Sequence, residues 1–237
     1  MILVENITIG YSTPLISSDA LKIKASEFVG IVGLNGSGKS TLLKTIAGII
    51  PPLNGQVFID SDNIKLLNRK ALAKKVAFSF TQYNIFGNAT FKDVVSLGRT
   101  PHTGIFDIPS NKDKEEVNNA MALLGITHFT KKLFREASDG EKQKCMLARC
   151  IAQETPVILL DEPTAFLDHP SKIEVYNQLK NFSSEKEKTI VLVSHDLHMI
   201  EQNCDTIWLV HEGGILTNND THFRTIWEQF KKGIRKS

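Results

Sequence analysis

The chain has 237 residues, 41% hydrophobic and 23% charged, which suits one large α/β unit with a real core and excludes a disordered or fibrous protein. Its 28 Lys and Arg against 26 Asp and Glu leave a net charge of +2, too little to mark a nucleic-acid partner. No run approaches the roughly 18 apolar residues of a membrane-spanning helix, and Met1–Asn6 lacks the basic and apolar segments of a signal peptide, so action at a membrane would need another chain as anchor.

In chain order, the β-branched run Ile2–Ile9 predicts a strand broken at Gly10, and Leu21–Lys24 alternates like a half-buried strand. Phe28–Val32 is a short apolar run ending at Gly33, of the kind buried on both faces of a parallel sheet. After a glycine-rich loop, Leu42, Leu43, Ile46, Ala47 and Ile50 fall at helical spacing over Thr41–Ile50. Pro51–Gly55 predicts a turn and Gln56–Asp60 a strand. From about Asn88 to Ile151 helical periodicity dominates, carried by Val117, Ala120, Met121, Leu123 and Leu124, while Gly98–Ser110 is expected as loop. Val157–Leu160 and Ile190–Val193 are buried-strand candidates, with a helix expected over Lys172–Phe182 between them. Cys145, Cys150 and Cys204 match no zinc spacing and are expected as reduced, partly buried thiols. Lys231, Lys232, Arg235 and Lys236 are expected in a solvated tail.

The loop Gly33, Leu34, Asn35, Gly36, Ser37, Gly38, Lys39, Ser40 fits G-x-x-x-x-G-K-[ST] at every fixed position, with Thr41 following. Each part has a chemical reason. Glycines let successive N–H groups turn toward one anion. The helix that follows presents its positive end to that anion. Lys39 sets a compact charge on the β- and γ-phosphates of ATP, and the Ser40 hydroxyl is typed to ligate Mg²⁺. A chance glycine turn beside a surface lysine is the plain alternative, and the flanking strand and helix argue against it.

A second cluster follows Val157–Leu160. Asp161 and Glu162 fall at the carboxyl end of that strand, where open α/β sheets bind ligands. Asp161 suits a Mg²⁺ ligand and Glu162 a base for an attacking water. A turn pair at a strand end is the alternative, weakened by the phosphate loop. His195 lies just past Leu192–Val193, where it could hydrogen-bond a γ-phosphate oxygen; a structural histidine is the commoner case.

These residues resemble the nucleotide-binding subunit of ABC transporters over nearly the whole chain. The diagnostic stretch is Ala137–Gln143, similar to the signature L-S-G-G-Q: Ser138 and Gly140 are kept, while Ala137, Asp139 and Glu141 depart from it. The resemblance implies a P-loop NTPase of ABC type: an α/β fold with a RecA-like core, an N-terminal antiparallel β subdomain and an inserted α-helical subdomain. It implies a single ATPase domain over 1–237, with 1–87 holding the β subdomain and first part of the core, 88–151 the helical subdomain, and 152–237 the rest of the core and the tail. By the same resemblance, Tyr11 stacks on adenine, Gln82 touches Mg²⁺ and the attacking water, and His195 is the switch histidine. Two copies then pair head to tail. Ser138, Asp139, Gly140 and Glu141, with Asp168 of the loop crossing the dimer interface, meet ATP held by the other copy. Asp139 and Glu141 would bring negative charge near its phosphate.

Ser96–His102, Ser138–Glu141 and Phe166–Leu167 before Asp168 further resemble importers of iron–siderophore complexes, haem and cobalamin. That likeness implies permease partners, an indirect substrate-binding protein, and a peripheral place on the cytoplasmic face of the inner membrane. A non-transport ATPase acting on ribosomes or DNA usually carries a second nucleotide domain or a long coiled coil; this chain has one phosphate loop and no sustained heptads. A small-molecule kinase is disfavoured by the signature and Gln82.

Overall fold

The computed structural model describes residues 1–80, 87–104 and 108–234. In chain order it runs β1 (Ile2–Gly10), β2 (Pro14–Ile23), β3 (Phe28–Gly33), α1 (Lys39–Ile46), β4 (Asn54–Ile59), β5 (Asp62–Asn63), α2 (Arg69–Ala73), β6 (Val76–Ser79), α3 (Phe91–Ser96), α4 (Asn111–Leu123), α5 (Asp139–Ala152), β7 (Val157–Asp161), α6 (His169–Glu185), β8 (Thr189–Val193), α7 (Leu197–Asn203), β9 (Thr206–His211), β10 (Gly214–Thr217) and α8 (Phe223–Ile234). One sheet is antiparallel, in the order β2-β1-β4-β5. The other is ordered β10-β9-β3-β8-β7-β6 and is parallel except for the β9–β10 hairpin.

Successive strand residues face opposite sides, and this period sorts the parallel sheet into two cores. Val29, Ile31, Val157, Leu159, Val191 and Val193 join Leu42, Leu43 and Ile46 of α1 and the apolar face of the antiparallel sheet. Their neighbours Phe28, Val32, Ile158, Leu160, Ile190 and Leu192 face the helices on the other side. Helix α1 is thus clamped between two sheets, and its start, which holds the phosphate loop, is rigidly placed. Each fully buried Leu or Ile there contributes about 1.5–3 kcal/mol.

The helix starts are written locally. Thr90 with Asp93, Ser110 with Asp113, and Ser138 with Glu141 form capping boxes at α3, α4 and α5. Asp168 caps α6, with Pro170 in its first turn. Helix α1 begins two residues before the predicted Thr41 and ends four before Ile50, because Ala47 N–H and Gly48 N–H close its last turn onto Leu43 and Thr45 carbonyls. The expected solvated tail is instead an amphipathic helix as far as it is described. Phe223 and Trp227 of α8 are buried and stacked, Trp227 Nε1 donates to Glu201 at 2.6 Å, and Lys231 pairs with Glu201 and Glu228. Arg235 and Lys236 lie outside the described residues. Cys145 and Cys150 are buried thiols and Cys204 is partly buried.

The expected loop Gly98–Ser110 starts instead with a 3-10 turn, Leu97–Arg99, that is tied to α5. Arg99 is 2% exposed, yet its guanidinium donates to Asp113 at 2.9 Å, the Ala152 carbonyl at 2.6 Å and Glu154 at 3.2 Å. His102 Nε2 lies 2.8 Å from the Gln153 carbonyl. The stretch Ser96–His102 therefore locks the helical region onto the end of α5. Arg99→Met is expected to cost about 3–5 kcal/mol, because it strands buried partners of a desolvated cation; a urea-unfolding loss below about 1 kcal/mol, the level of a surface pair, would refute this. The network also sets acid stability. The Ser110 hydroxyl, then the Ser110 N–H and Arg99, hold Asp113 down to about 2 against its burial. The folded value lies below the unfolded one, so this stabilisation is present above about pH 4 and is lost as pH falls through about 2.

Candidate functional site

Three adjacent parallel strands deliver the candidate residues. β8 lies between β3 and β7, and the register sets Ile31 of β3 and Asp161 of β7 on either side of Val193. The phosphate loop follows β3, Asp161 and Glu162 end β7, and His195 follows β8, so all converge at one carboxyl edge of the sheet.

In the loop, Gly38 has φ 98, a left-handed backbone that a side chain would strain, and it turns the chain directly into α1. Lys39 is 6% exposed. Its Nζ donates to the Gly33 carbonyl at 2.9 Å and the Leu34 carbonyl at 2.8 Å, inside the loop. An ammonium has three N–H donors, so one remains for a phosphate oxygen. Leu34, Asn35 and Gly36 form the exposed lip, where Ser37 N–H donates to the Leu34 carbonyl at 3.2 Å. Thr41 is buried in the first turn of α1.

Ser40 Oγ donates to Asp161 Oδ1 at 2.9 Å. This joins a hydroxyl and a carboxylate from distant parts of the chain into one oxygen set. Such a pair fits Mg²⁺, a hard cation that takes few protein ligands and keeps waters.

Glu162 is the electrostatic oddity. Burial first, and then the neighbouring Asp161 charge, push its carboxyl up to about 7, while Lys39 and the His195 backbone N–H draw it back. Burial lowers the Lys39 amine, with Glu162 and Asp161 opposing. Burial and then the Lys39 charge lower His195, which favours the neutral ring. His195 Nε2 stands 3.2 Å from Glu162 Oε1, but off the line of a hydrogen bond, so that among the described residues this buried oxygen has no donor. A partly protonated carboxyl with an unmatched oxygen, beside an exposed histidine, is suited to activate a water.

Ser138, Asp139, Gly140, Glu141 and Asp168 line a separate cavity of about 490 Å³. No phosphate-loop residue lines it. Ser138 Oγ accepts from Glu141 N–H at 3.3 Å, which leaves its O–H to donate. The negative charge expected near phosphate is partly answered here. Glu141 Oε2 accepts from Lys132 Nζ at 2.7 Å and from Ser138 N–H at 2.8 Å, and these bonds, the lysine's first, lower its pKa against its burial. Asp139 is exposed, with Oδ1 3.7 Å from Lys142 Nζ. Tyr11, past the end of β1, is 66% exposed, an open ring rather than a packed one. Gln82 lies outside the described residues.

Sequence reasoning missed Lys132, and it gave Gln143, the last residue of the diagnostic stretch, no role of its own. Gln143 carried a signal: with Leu147 and Cys150 it falls at helical spacing on the buried face of α5, where a polar amide is out of place.

Comparison with known proteins decides the family. Residues 16–165 match the profile of the ABC transporter family. This chain belongs to that family. It is an ATP-binding, ATP-hydrolysing cassette with the α/β fold of ABC ATPases. It is 39% identical over 211 residues to the uncharacterized ABC transporter ATP-binding protein MJ0873 of Methanocaldococcus jannaschii, across 89% of this chain and 73% of that one. It is 32% identical over 213 residues to the ferric enterobactin transport ATP-binding protein FepC of Escherichia coli, across 90% and 79%. A dimeric post-hydrolysis state of the ATP-binding cassette MJ0796, bound to ADP and Pi, superposes with a TM-score of 0.81 at 27% identity, covering 92% of this chain and 98% of that one.

Proposed function

We propose that this cassette is the ATPase subunit of an importer, coupling ATP hydrolysis to uptake of an iron–siderophore, haem or cobalamin-type substrate. The observation that carries the enzymatic part is the meeting of Lys39, Ser40, Asp161, Glu162 and His195 at one sheet edge. The likeness to the ferric enterobactin transport protein supports the substrate class. In this reading the loop Gly33–Thr41 cradles the phosphates and Tyr11 offers its exposed ring to adenine. Glu162 takes a proton from the attacking water, and His195 holds a γ-phosphate oxygen. Ser40, Asp161 and Gln82 would hold Mg²⁺, which when bound offsets charge on the β- and γ-phosphates. This is phosphoryl transfer to water, in which positioning and electrostatics do most of the catalysis.

The signature residues Ser138–Glu141 and Asp168 line a cavity apart from the loop. This supports a head-to-tail pair, each copy completing the other's site. The chain acts as a single ATPase unit over 1–237, with 88–151 as the helical part through which closure pushes on a permease. Among the described residues no helix is long and apolar enough to cross a membrane, and in this reading passage belongs to that permease, fed by a substrate-binding protein. The cassette sits peripherally on the cytoplasmic face of the inner membrane. The test is uptake in cells lacking this gene, offered labelled ferric siderophore, haem or cobalamin. Loss of uptake of one of them, restored by the wild-type gene but not by a Glu162→Gln copy, is expected. Unchanged uptake of all three would reject the substrate class.

A further inference from the structure

We infer that Gln143 is a positioning residue that links the two half-sites carried by one chain. Its side chain is 0% exposed, on a helix whose Cys145, Met146 and Leu147 are buried as well. Its Nε2 donates to the Pro163 carbonyl at 3.0 Å and, at 3.4 Å, to the Glu162 carbonyl, while its Oε1 is buried without a partner among the described residues. A buried, unmatched acceptor costs about 1–3 kcal/mol. Leucine or methionine would avoid that cost, so the amide is kept for what its N–H groups hold.

What they hold is the backbone of the base. Glu162 has φ 50, a left-handed conformation costing a non-glycine residue roughly 1–2 kcal/mol. Strained backbone persists only where its surroundings fix it. Here Glu162 N–H donates to the Val193 carbonyl at 3.1 Å, and its own carbonyl accepts from Ala165 N–H at 3.3 Å and from Gln143. The direction in which the Glu162 carboxyl leaves the chain depends on these bonds. Gln143 rides on α5, whose cap is Ser138, about 7 Å away along the helix axis. A second contact ties the same helix start to the loop after Glu162: a Cβ on Gly140 would lie 3.2 Å from the Phe166 carbonyl. Helix α5 is therefore a short rigid lever between Ser138, which faces the partner's ATP, and Glu162, which serves the chain's own ATP.

The inference rests on the head-to-tail reading above. A nucleotide engaged at Ser138 sets the position of α5, and Gln143 passes that position to the base of the other site. Gln143→Leu is expected to leave the KM for ATP within about threefold and to lower kcat at least tenfold, since displacing a reacting group by about 1 Å can cost 10²-fold. Gln143→Met, unbranched and adaptable, is the second variant if leucine fails to fold; thermal melts check both. Because the two residues act through one lever, Ser138→Ala combined with Gln143→Leu should lower kcat no further than the worse single variant. A double loss equal to the product of the single losses would overturn the coupling. So would an unchanged kcat in a folded Gln143 variant, or ATP binding lost in step with turnover. If Ser138→Ala itself leaves turnover unchanged, the head-to-tail reading falls, and the coupling with it.

Discussion

Glu162→Gln is expected to slow ATP turnover by ~10²–10⁴-fold, the range for removing a general base, while ATP affinity stays within a few-fold of wild type. Glutamine keeps the shape of the side chain and its place after β7, so the loop, Lys39 and the Ser40–Asp161 pair are undisturbed. What it loses is the ability to take a proton. The same substitution removes a carboxyl that burial and Asp161 push up to about 7 and whose Oε1 has no donor among the described residues. The nucleotide-free variant should therefore melt at a higher temperature than wild type, the pattern of a site that trades stability for activity. With ATP present the variant should run as a dimer in gel filtration, because hydrolysis no longer reopens it. Wild-type turnover in this variant would remove Glu162 from its role.

Lys39→Ala is expected to weaken ATP binding roughly 10- to 100-fold, the equivalent of losing a charged hydrogen bond of about 1.5–3 kcal/mol. The amine does two things. It presents charge to the phosphates, and it ties the carbonyls of Gly33 and Leu34 into the loop. Alanine gives up both, so the loop loses shape as well as charge, and turnover should fall with affinity. Arginine should not restore binding. A planar guanidinium needs more room than the buried Nζ occupies, and its fork does not match the two converging carbonyls. Calorimetric titration of each variant with ATP measures the effect; equal affinities for wild type and Lys39→Ala would dismiss the loop as a phosphate site.

The sequence carries the chemistry wherever that chemistry is local. Gly33–Thr41 needs only its own spacing, because the glycines, the lysine and the helix start act on one anion within nine consecutive residues. Asp161 and Glu162 are adjacent, and the apolar run before them marks a strand end. Capping boxes such as Ser138 with Glu141 are equally local, since both partners lie within one turn, although only the structure brought them out. Strand β6 and the pair β9–β10 did not read: each is short, and a short apolar run looks alike in strand and helix until its neighbours are known. Helix α8 was missed for a related reason. Its lysines suggested a solvated tail, and only its docking through Phe223 and Trp227 makes it a packed helix.

By itself, then, the sequence determined that a phosphate loop and a pair of carboxylates are present and that each follows a buried strand. The tertiary structure decided that those strands flank β8, which brings Ser40 to 2.9 Å from Asp161 and His195 to 3.2 Å from Glu162. It also decided that Glu162 is desolvated and carried on a left-handed backbone, and that the Gln143 amide reaches the Pro163 and Glu162 carbonyls. The physical reason is one of range. Backbone turns, caps and loop chemistry depend on neighbours along the chain, whereas burial, desolvation and the meeting of distant side chains are set by which surfaces pack together.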